Sequence, residues 1–471
     1  MIPLRGRGLF YFLDFMASDR YNPRSPYLMN IRLSDHFTYR KLAAFVLPTI
    51  GMMVLTSVYT MVDALFISHY VGDTALAAVN FVFPVIMLLG GLGFMFGTGG
   101  TALVAKTFGQ GEDACARRYF TQITLLAALL GCAMAGLGIL FLPQVCHTLG
   151  GTDKLIPDAV LYGRLMLGFL PCCILQCSFQ SLLVAAEKPR MAFWLSVAGG
   201  LTNIVLDLLF VVLFGWGLAG AALATGLSQA VAGLAPVLYF SRPNNSLLRF
   251  VRTGLEFRPM AQACCNGASE LVTGISAAFI GMLYNYQLLQ YYGEDGVAAY
   301  GVVMYVAFLF GSIIFGYDMG SNPLFAYNHG AENHPELRNL FRKSLVLLSG
   351  GGLFLAVAAV TLSYPLAYLF VGYNASLTSL AEYAFCVFSV YFLLHGYNIF
   401  ASGLFTAMNN GFISALIAFS RTFLFQSAAV LVLPLMFGAG GIWWSAAAAE
   451  VLTLLISVLL VLRYRRQYGY L

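Results

Sequence analysis

The chain has 471 residues, of which 60% are hydrophobic and 10% are charged, and its formal net charge is +5. Soluble domains carry about 25% charged residues, so this composition excludes an ordinary soluble protein and indicates one embedded in a lipid bilayer. A net charge of +5 does not imply a nucleic-acid partner, and we expect none.

Twelve apolar runs follow one another along the chain, and each is long enough to span a membrane. In lipid such runs must be helices, because unpaired backbone groups are too costly there. The runs cover residues 43–71, 77–106, 119–142, 160–186, 191–214, 217–240, 260–291, 297–326, 344–371, 383–408, 412–436 and 441–462. The sequence therefore predicts an all-α integral membrane protein with twelve transmembrane helices.

The first 28 residues lack the layout of a cleavable signal, because the apolar run from Gly8 to Met16 is too short. Met29 begins a basic, polar lead into the first helix. We therefore interpret residues 1–28 either as a loose tail or as a stretch that precedes the natural start at Met29.

Positive charge is distributed unevenly between the loops. Of the 25 lysines and arginines, all but Lys154, Arg164 and Arg421 lie in the two termini and in alternate loops. Lys and Arg collect on the cytoplasmic side of membrane proteins. We therefore expect a multi-pass protein of the inner (plasma) membrane with both termini in the cytoplasm.

The second half of the chain repeats the first. Landmarks match without a gap when the sequence is shifted by 221 residues: Gly72 falls on Gly293, Gly90 on Gly311, Gly99 on Gly320, Gly109 on Gly330 and Arg117 on Arg338. Such self-similarity indicates a duplication. Six helices per repeat give both copies the same orientation, related by an axis along the membrane normal.

This duplication predicts two pseudo-symmetric six-helix lobes. We expect an amino-terminal cytoplasmic tail at residues 1–40, a first lobe at 41–240, a cytoplasmic linker at 241–259 and a second lobe at 260–466.

Polar residues lie at one depth in the first lobe. Asn203 and Asp207 are four residues apart and share one helix face. Asp207 lies nine residues before the turn at Trp216, Thr225 lies nine after it, and Asp63 lies nine before a turn glycine. At 1.5 Å per residue each is about 13 Å deep, where an ionisable residue indicates a functional site.

Two carboxylates at this depth repel each other unless a proton or a cation lies between them, and oxygen ligands suit a hard cation such as Na⁺. The alternative for Asn203 and Thr225 is simple hydrogen bonding between helices.

The second lobe has deep charges of its own. Glu270 has no obvious partner and is our candidate for attracting a cationic substrate, whereas Arg421 and Glu450 are interpreted as a neutralised structural pair.

Aromatic residues could bind flat cations through cation–π contacts. Tyr284, Tyr300 and Met304 lie on the first two helices of this lobe and are the candidates for the cavity wall. Packing against lipid or other helices is the alternative for each.

These motifs together resemble the multidrug and toxic compound extrusion (MATE) family. The resemblance covers residues 30 to 466, and the stretches FGTGGTALVAKTFGQG, CCNGASELVTGIS, YGEDGVAAYGVVMYV and LFTAMNNGFISALIAFSRT are similar to its bacterial MepA-like branch. The resemblance implies that Asp63, Asn203, Asp207 and Thr225 bind the coupling Na⁺ or H⁺.

The resemblance also implies that the first helix bends at Pro48 and that the acidic residue of the seventh helix, Glu270, contacts substrate or cation. Asp318 departs from the family pattern, in which an uncharged residue is usual, and its role stays open.

We therefore expect a secondary active multidrug efflux transporter, not an enzyme. It would export organic cations and drugs by antiport with Na⁺ or H⁺ through alternating access, as a monomer without an organic cofactor. The first alternative is a flippase for lipid-linked oligosaccharides or peptidoglycan precursors, which should have a cationic cleft. An intramembrane enzyme would need a nucleophile–base pair or a metal set, and we find neither in the sequence. A receptor or scaffold would survive neutralisation of the carboxylate pair.

Overall fold

The computed structural model describes residues 31–244, 246–372 and 374–471, without the side chains of 64, 65, 68 and 73. The predictions made for residues 1–28 and for a start at Met29 lie outside the described residues. All regular secondary structure in the described ranges is helical.

We number the membrane-spanning helices α1 to α12. The first six are α1 (Tyr39–Phe66), α2 (Asp73–Gly109), α3 (Asp113–Thr148), α4 (Ile156–Gly168 and Leu170–Ala185), α5 (Pro189–Asp207) and α6 (Gly217–Phe240). The next two, α7 and α8, are the parts of Phe257–Gly330 before and after Gly293. The last four are α9 (His334–Thr361 and Ser363–Val371), α10 (Ala375–Ala407), α11 (Gly411–Phe419 and Gln426–Phe437) and α12 (Gly440–Tyr468).

Two breaks bring the count of spans to twelve. Among the described residues, 10 helices are long and apolar enough to cross a membrane, and the two parts of α4, bent by 55°, form an eleventh. The 74-residue helix Phe257–Gly330 contains a non-helical residue, Gly293, and comprises two spans. The prediction of twelve spans is therefore confirmed.

The backbone repeats its unusual conformations between the two halves. Gly72 ends α1 with φ 112° and Gly293 ends α7 with φ 65°, a region where a Cβ is disfavoured. The other positive-φ residues that match at nearly the same shift are Gly111 with Glu332, Glu187 with Asn409, and Gly215 with Gly438. Corresponding turns in the two halves therefore have corresponding geometry.

The two halves contact each other where α2 and α8 end. A Cβ on Gly109 would collide with the carbonyl oxygen of Tyr327, and a Cβ on Gly330 would collide with that of Lys106. A shift of 221 residues converts each contact into the other, which is the reciprocity of a two-fold interface. The pseudo-two-fold axis therefore passes between these glycines.

We call this the basic end of the bundle, because α1 and α7 begin there and α2, α8 and α12 end there, among most of the Lys and Arg residues. The opposite end is called the far end. Gly267 of α7 also packs on the backbone of Met95 in α2. The rings of Phe94 and Phe315, one from each half, meet at 5.7 Å between centroids.

The buried apolar residues form three clusters. One lies mainly in the first half but includes Met260, Ala263 and Met319 of the second, and another lies within the second half. The third joins the halves at the basic end, where Ala102 and Val184 of the first half share a cluster with Leu337 and Phe341 of the second. The segment before α1 contributes Leu33 and Phe37 to the same cluster. The basic end is therefore closed by apolar packing.

Candidate functional site

The structure brings the four predicted residues of the first half together. Thr225 on α6 donates a hydrogen bond to Asp63 Oδ1 on α1 at the limiting distance of 3.5 Å. Asn203 on α5 donates from Nδ2 to Thr225 Oγ1 at 3.4 Å. Both bonds are long for their type and therefore weak. The cluster joins α1, α5 and α6 through contacts that can break without large cost.

Asp207 completes the cluster and is its least satisfied member. Its side chain is completely buried, and neither carboxylate oxygen accepts a hydrogen bond from any described residue. The Asp63 carboxyl group lies close enough for the two carboxyl groups to interact. A buried carboxylate without a donor is costly, and two carboxyl groups facing each other need a shared proton or a cation between them.

Irregular backbone adjoins both carboxylates. Regular α-helix ends at Asp207, and the next residues, Leu208–Leu213, form a π-helical turn. A second π-helical turn, Ile67–Val71, begins four residues after Asp63. Such turns are frequent at functional sites, because they change the rotation of a helix and loosen its hydrogen bonding.

The bend of α4 packs beside the cluster. A Cβ on Gly226, the residue after Thr225, would collide with the ring of Phe169, which lies between the two parts of α4. Tyr162, on the first part of α4, is buried and lies near enough to Asp63 and Asp207 to interact with their charges. Sequence reasoning missed Tyr162, since one tyrosine among 26 carries no distinguishing signal.

The second half holds a buried network that differs from the predicted Arg421–Glu450 pair. Glu450 Oε1 pairs with Nδ1 of His395 at 2.8 Å, and Asn398 donates to Glu450 Oε2 at 2.6 Å. Ser457 donates to Asn398 Oδ1 at 2.9 Å. Arg421 acts on the charge of Glu450 without a direct hydrogen bond to it, while the hydrogen-bond partners of Glu450 come from α10, whose rotation the sequence does not reveal.

Arg421 also interacts with two other acids. It belongs to a π-helical turn of α11, Ser420–Phe425, and its Nη1 has no hydrogen-bond partner among the described residues. Glu270 on α7 and Asp318 on α8 both interact with its charge. The Asp318 carboxylate packs against Gly403 of α10, where a Cβ would collide with it. Glu270 is half-buried, so this group has access to the space around α7.

The predicted aromatic wall lies deeper than expected. Tyr284 is completely buried, stacks on Tyr300 at 4.8 Å between centroids, and shares a 2.7 Å hydrogen bond with Ser445. Met304 is half-buried and packs at the edge of the same cluster. These residues belong to the core of the second half, and substrate contact by them stays a prediction.

Pro48 lies inside α1, which continues as a helix on both sides of it. The next residues, Thr49 and Ile50, pack against Gly316 and Gly320 of α8. The part of α1 around Pro48 is thereby held to the second half, while Asp63, farther along the helix, lies in the first-half cluster. Pro48 precedes both attachments in the chain, and its role as a hinge stays a prediction.

A bundle of twelve helices in two related halves, with carboxyl groups buried at mid-depth, defines a membrane transporter. The MatE family model matches residues 48–209 and 271–430, one match in each half. The chain therefore belongs to the MatE family of transporters and is not an enzyme.

Known proteins similar to this chain cover nearly all of it. It is 24% identical over 434 residues to the multidrug export protein MepA of Staphylococcus saprophyticus, covering 90% of this chain and 93% of that protein. It is also 24% identical over 431 residues to MepA of Staphylococcus aureus N315, with coverage of 90% and 93%. A structure described as the outward-facing conformation of a multidrug resistance MATE family transporter aligns with a TM-score of 0.87 at 19% identity, over 93% of this chain and 98% of that one. A MATE structure in complex with MaL6 aligns equally well, with a TM-score of 0.87.

Proposed function

We propose that this protein is a secondary active multidrug efflux transporter that exports organic cations by antiport with Na⁺ or H⁺. The names of its relatives support multidrug export. The observation that carries antiport is the pairing of Asp63 with Asp207, whose oxygens lack a hydrogen-bond donor among the described residues. A bound proton or cation stabilises such a pair, because it removes the repulsion between the two carboxylates. Ion binding therefore draws the helices that hold the pair together, and ion release lets them separate.

The coupling ion is bound by oxygen atoms in this proposal. The carboxylates of Asp63 and Asp207, the amide oxygen of Asn203 and the hydroxyl of Thr225 are ligands suited to Na⁺, and the carboxylates alone suffice for H⁺. When the ion enters, the weak contacts between α1 and α6 are rearranged. Drug and ion then exchange if they favour opposite states of the bundle.

The basic end faces the cytoplasm of the plasma membrane in this proposal. The support is the positive-inside rule applied to the Lys and Arg residues that collect there. Because the halves are in contact at the basic end, the structure corresponds to a state closed to the cytoplasm. The transporter acts as a monomer, with the space between its halves as the route for substrate.

The flippase alternative is less favoured by the charges. A lipid-linked pyrophosphate requires a cationic cleft, whereas Asp63, Asp207, Glu270 and Asp318 are acidic. Arg421 is the deep basic residue that accompanies them, and it lies beside two of these acids.

Efflux from vesicles under separate gradients tests the proposal. Purified protein is reconstituted, and export of a cationic dye is followed with a Na⁺ gradient, a pH gradient, or neither. The gradient of the coupling ion should drive dye transport against the dye's own concentration gradient. The gradient of the other ion should have no effect, and the comparison identifies the coupling ion. Equal dye movement under all three conditions would contradict antiport.

A further inference from the structure

A short segment before α1 contacts both halves of the protein. This N-terminal strap, residues 31–38, has two fully buried apolar side chains, Leu33 and Phe37. The backbone N–H of Leu33 donates to Glu187 Oε1 at 2.7 Å, and Glu187 lies in the turn between α4 and α5. The backbone N–H of Phe37 donates to Glu336 Oε1 at 2.9 Å, and Glu336 lies in the first turn of α9. The strap therefore joins the first half to the second.

The attachment to the second half is the stronger of the two. His36 Nδ1 pairs with Glu336 Oε2 at 2.6 Å, and Asn339 donates to the carbonyl of Phe37 at 2.9 Å. Lys343 donates to the same carbonyl. The attachment to the first half is the hydrogen bond from the Leu33 N–H to Glu187. A force that separates the halves should therefore break the Glu187 contact first.

The linker before α7 makes the corresponding contact between the halves, because it leads into the second half but binds to the first. Gln122 of α3 donates to the hydroxyl of Thr253 at 2.9 Å and to the carbonyl of Gly254 at 2.7 Å. The 221-residue shift places Gln122 on Lys343, so the two contacts correspond. Each half thus binds the segment that leads into the first helix of the other. The linker is held through an amide, whereas the strap is held through two carboxylates.

We propose that the N-terminal strap is a latch that keeps the basic end closed, and that opening this end breaks the contact between Leu33 and Glu187. The proposal rests on the alternating-access cycle proposed above, since that cycle requires the basic end to open. The strap moves away with α9, and Glu187 stays with α4 and is hydrated. Re-formation of the contact then restores the closed state.

Distances between spin labels test the latch without requiring transport. Labels are attached to Ala114→Cys on α3 and Ala331→Cys beside α9, both exposed positions in different halves, after the nine native cysteines are replaced. Glu187→Ala should raise the ratio of the long to the short distance about tenfold, the effect expected for losing one hydrogen bond to a charged group. Glu187→Gln, which keeps an acceptor for the Leu33 N–H, should stay closer to the parent.

Asp35→Asn is the matched control. Asp35 lies in the same strap, but its ion pair, 3.4 Å to Lys41, stays within the amino-terminal segment. Its charge repels that of Glu187, so Asp35→Asn should not favour opening. An unchanged distribution in Glu187→Ala, or an equal change in Asp35→Asn, would overturn the latch. The Gly267→Ala variant described below keeps the two proposals separate. If Gly267→Ala opens the basic end and Glu187→Ala does not, the latch is refuted and alternating access is not. If every variant shows one and the same distance between the labels, with or without dye, alternating access itself is contradicted.

Discussion

Adding one methyl group to Gly267 should open the basic end of the bundle. A Cβ at this position would collide with the backbone carbonyl of Met95 on α2. Backbone atoms of a packed helix cannot turn aside as the end of a side chain can. Overpacking of this kind costs about 1–3 kcal/mol, and the cost applies to the state in which α2 and α7 are in contact. The ratio of open to closed molecules should therefore rise by about 5- to 150-fold.

Gly274→Ala is the control for this experiment. Gly274 lies on the same helix, and a Cβ there would have no heavy atom within 4 Å. Both substitutions improve helix propensity by about 1 kcal/mol, so their difference isolates the contact with α2. Double electron–electron resonance between labels at positions 114 and 331 should show a longer distance in Gly267→Ala than in Gly274→Ala. Identical distributions would refute the prediction that loosening this contact opens the basic end.

Three further predictions concern substrate, orientation and stability. Glu270→Gln should weaken export of monovalent organic cations more than export of neutral compounds, because it removes an attractive charge; equal loss for both classes in dye efflux would exclude this role. Cysteines placed within 106–118 or 329–343 should react with impermeant thiol reagents from the cytoplasmic side, and labelling from outside would reverse the orientation. His395→Ala should lower the free energy of unfolding by about 1.5–3 kcal/mol, because the buried Glu450 carboxylate loses one of its hydrogen-bond partners; an unchanged thermal unfolding temperature in detergent would contradict this cost.

The depth of the first-half cluster could be predicted because helix geometry is fixed. With a rise of about 1.5 Å per residue, equal spacing from the far-end turns brings Asp63, Asp207 and Thr225 to one level. The apolar runs predicted the twelve spans, and the repeat predicted the two halves, in the same way. Length and period are properties of the chain itself, and they need no knowledge of which helices are neighbours.

Contacts that depend on helix rotation could not be predicted. Glu450 has its hydrogen bonds from His395 and Asn398, while Arg421 acts only on its charge, and this arrangement depends on how α10 and α11 turn toward α12. Tyr284 was expected at a cavity and lies in the core, because Tyr300 and Ser445 cover its ring and its hydroxyl. The strap could not be predicted, because its hydrogen bonds to Glu187 and Glu336 are donated by backbone N–H groups. Nearly every residue has such a group, so it leaves no signal in the sequence.

Transport by Asp207→Asn tests the central claim most directly. The substitution keeps the size of the side chain but removes the charge that we propose to bind H⁺ or Na⁺, and the proposed drug contacts lie elsewhere. Gradient-driven efflux and drug binding are measured in parallel on the purified, folded variant. We predict that drug binding is retained and that efflux driven by an ion gradient is lost, with the same result for Asp63→Asn and a milder loss for Thr225→Ala. Efflux at the parent rate under both Na⁺ and proton gradients would show that the cluster is structural and would contradict the mechanism.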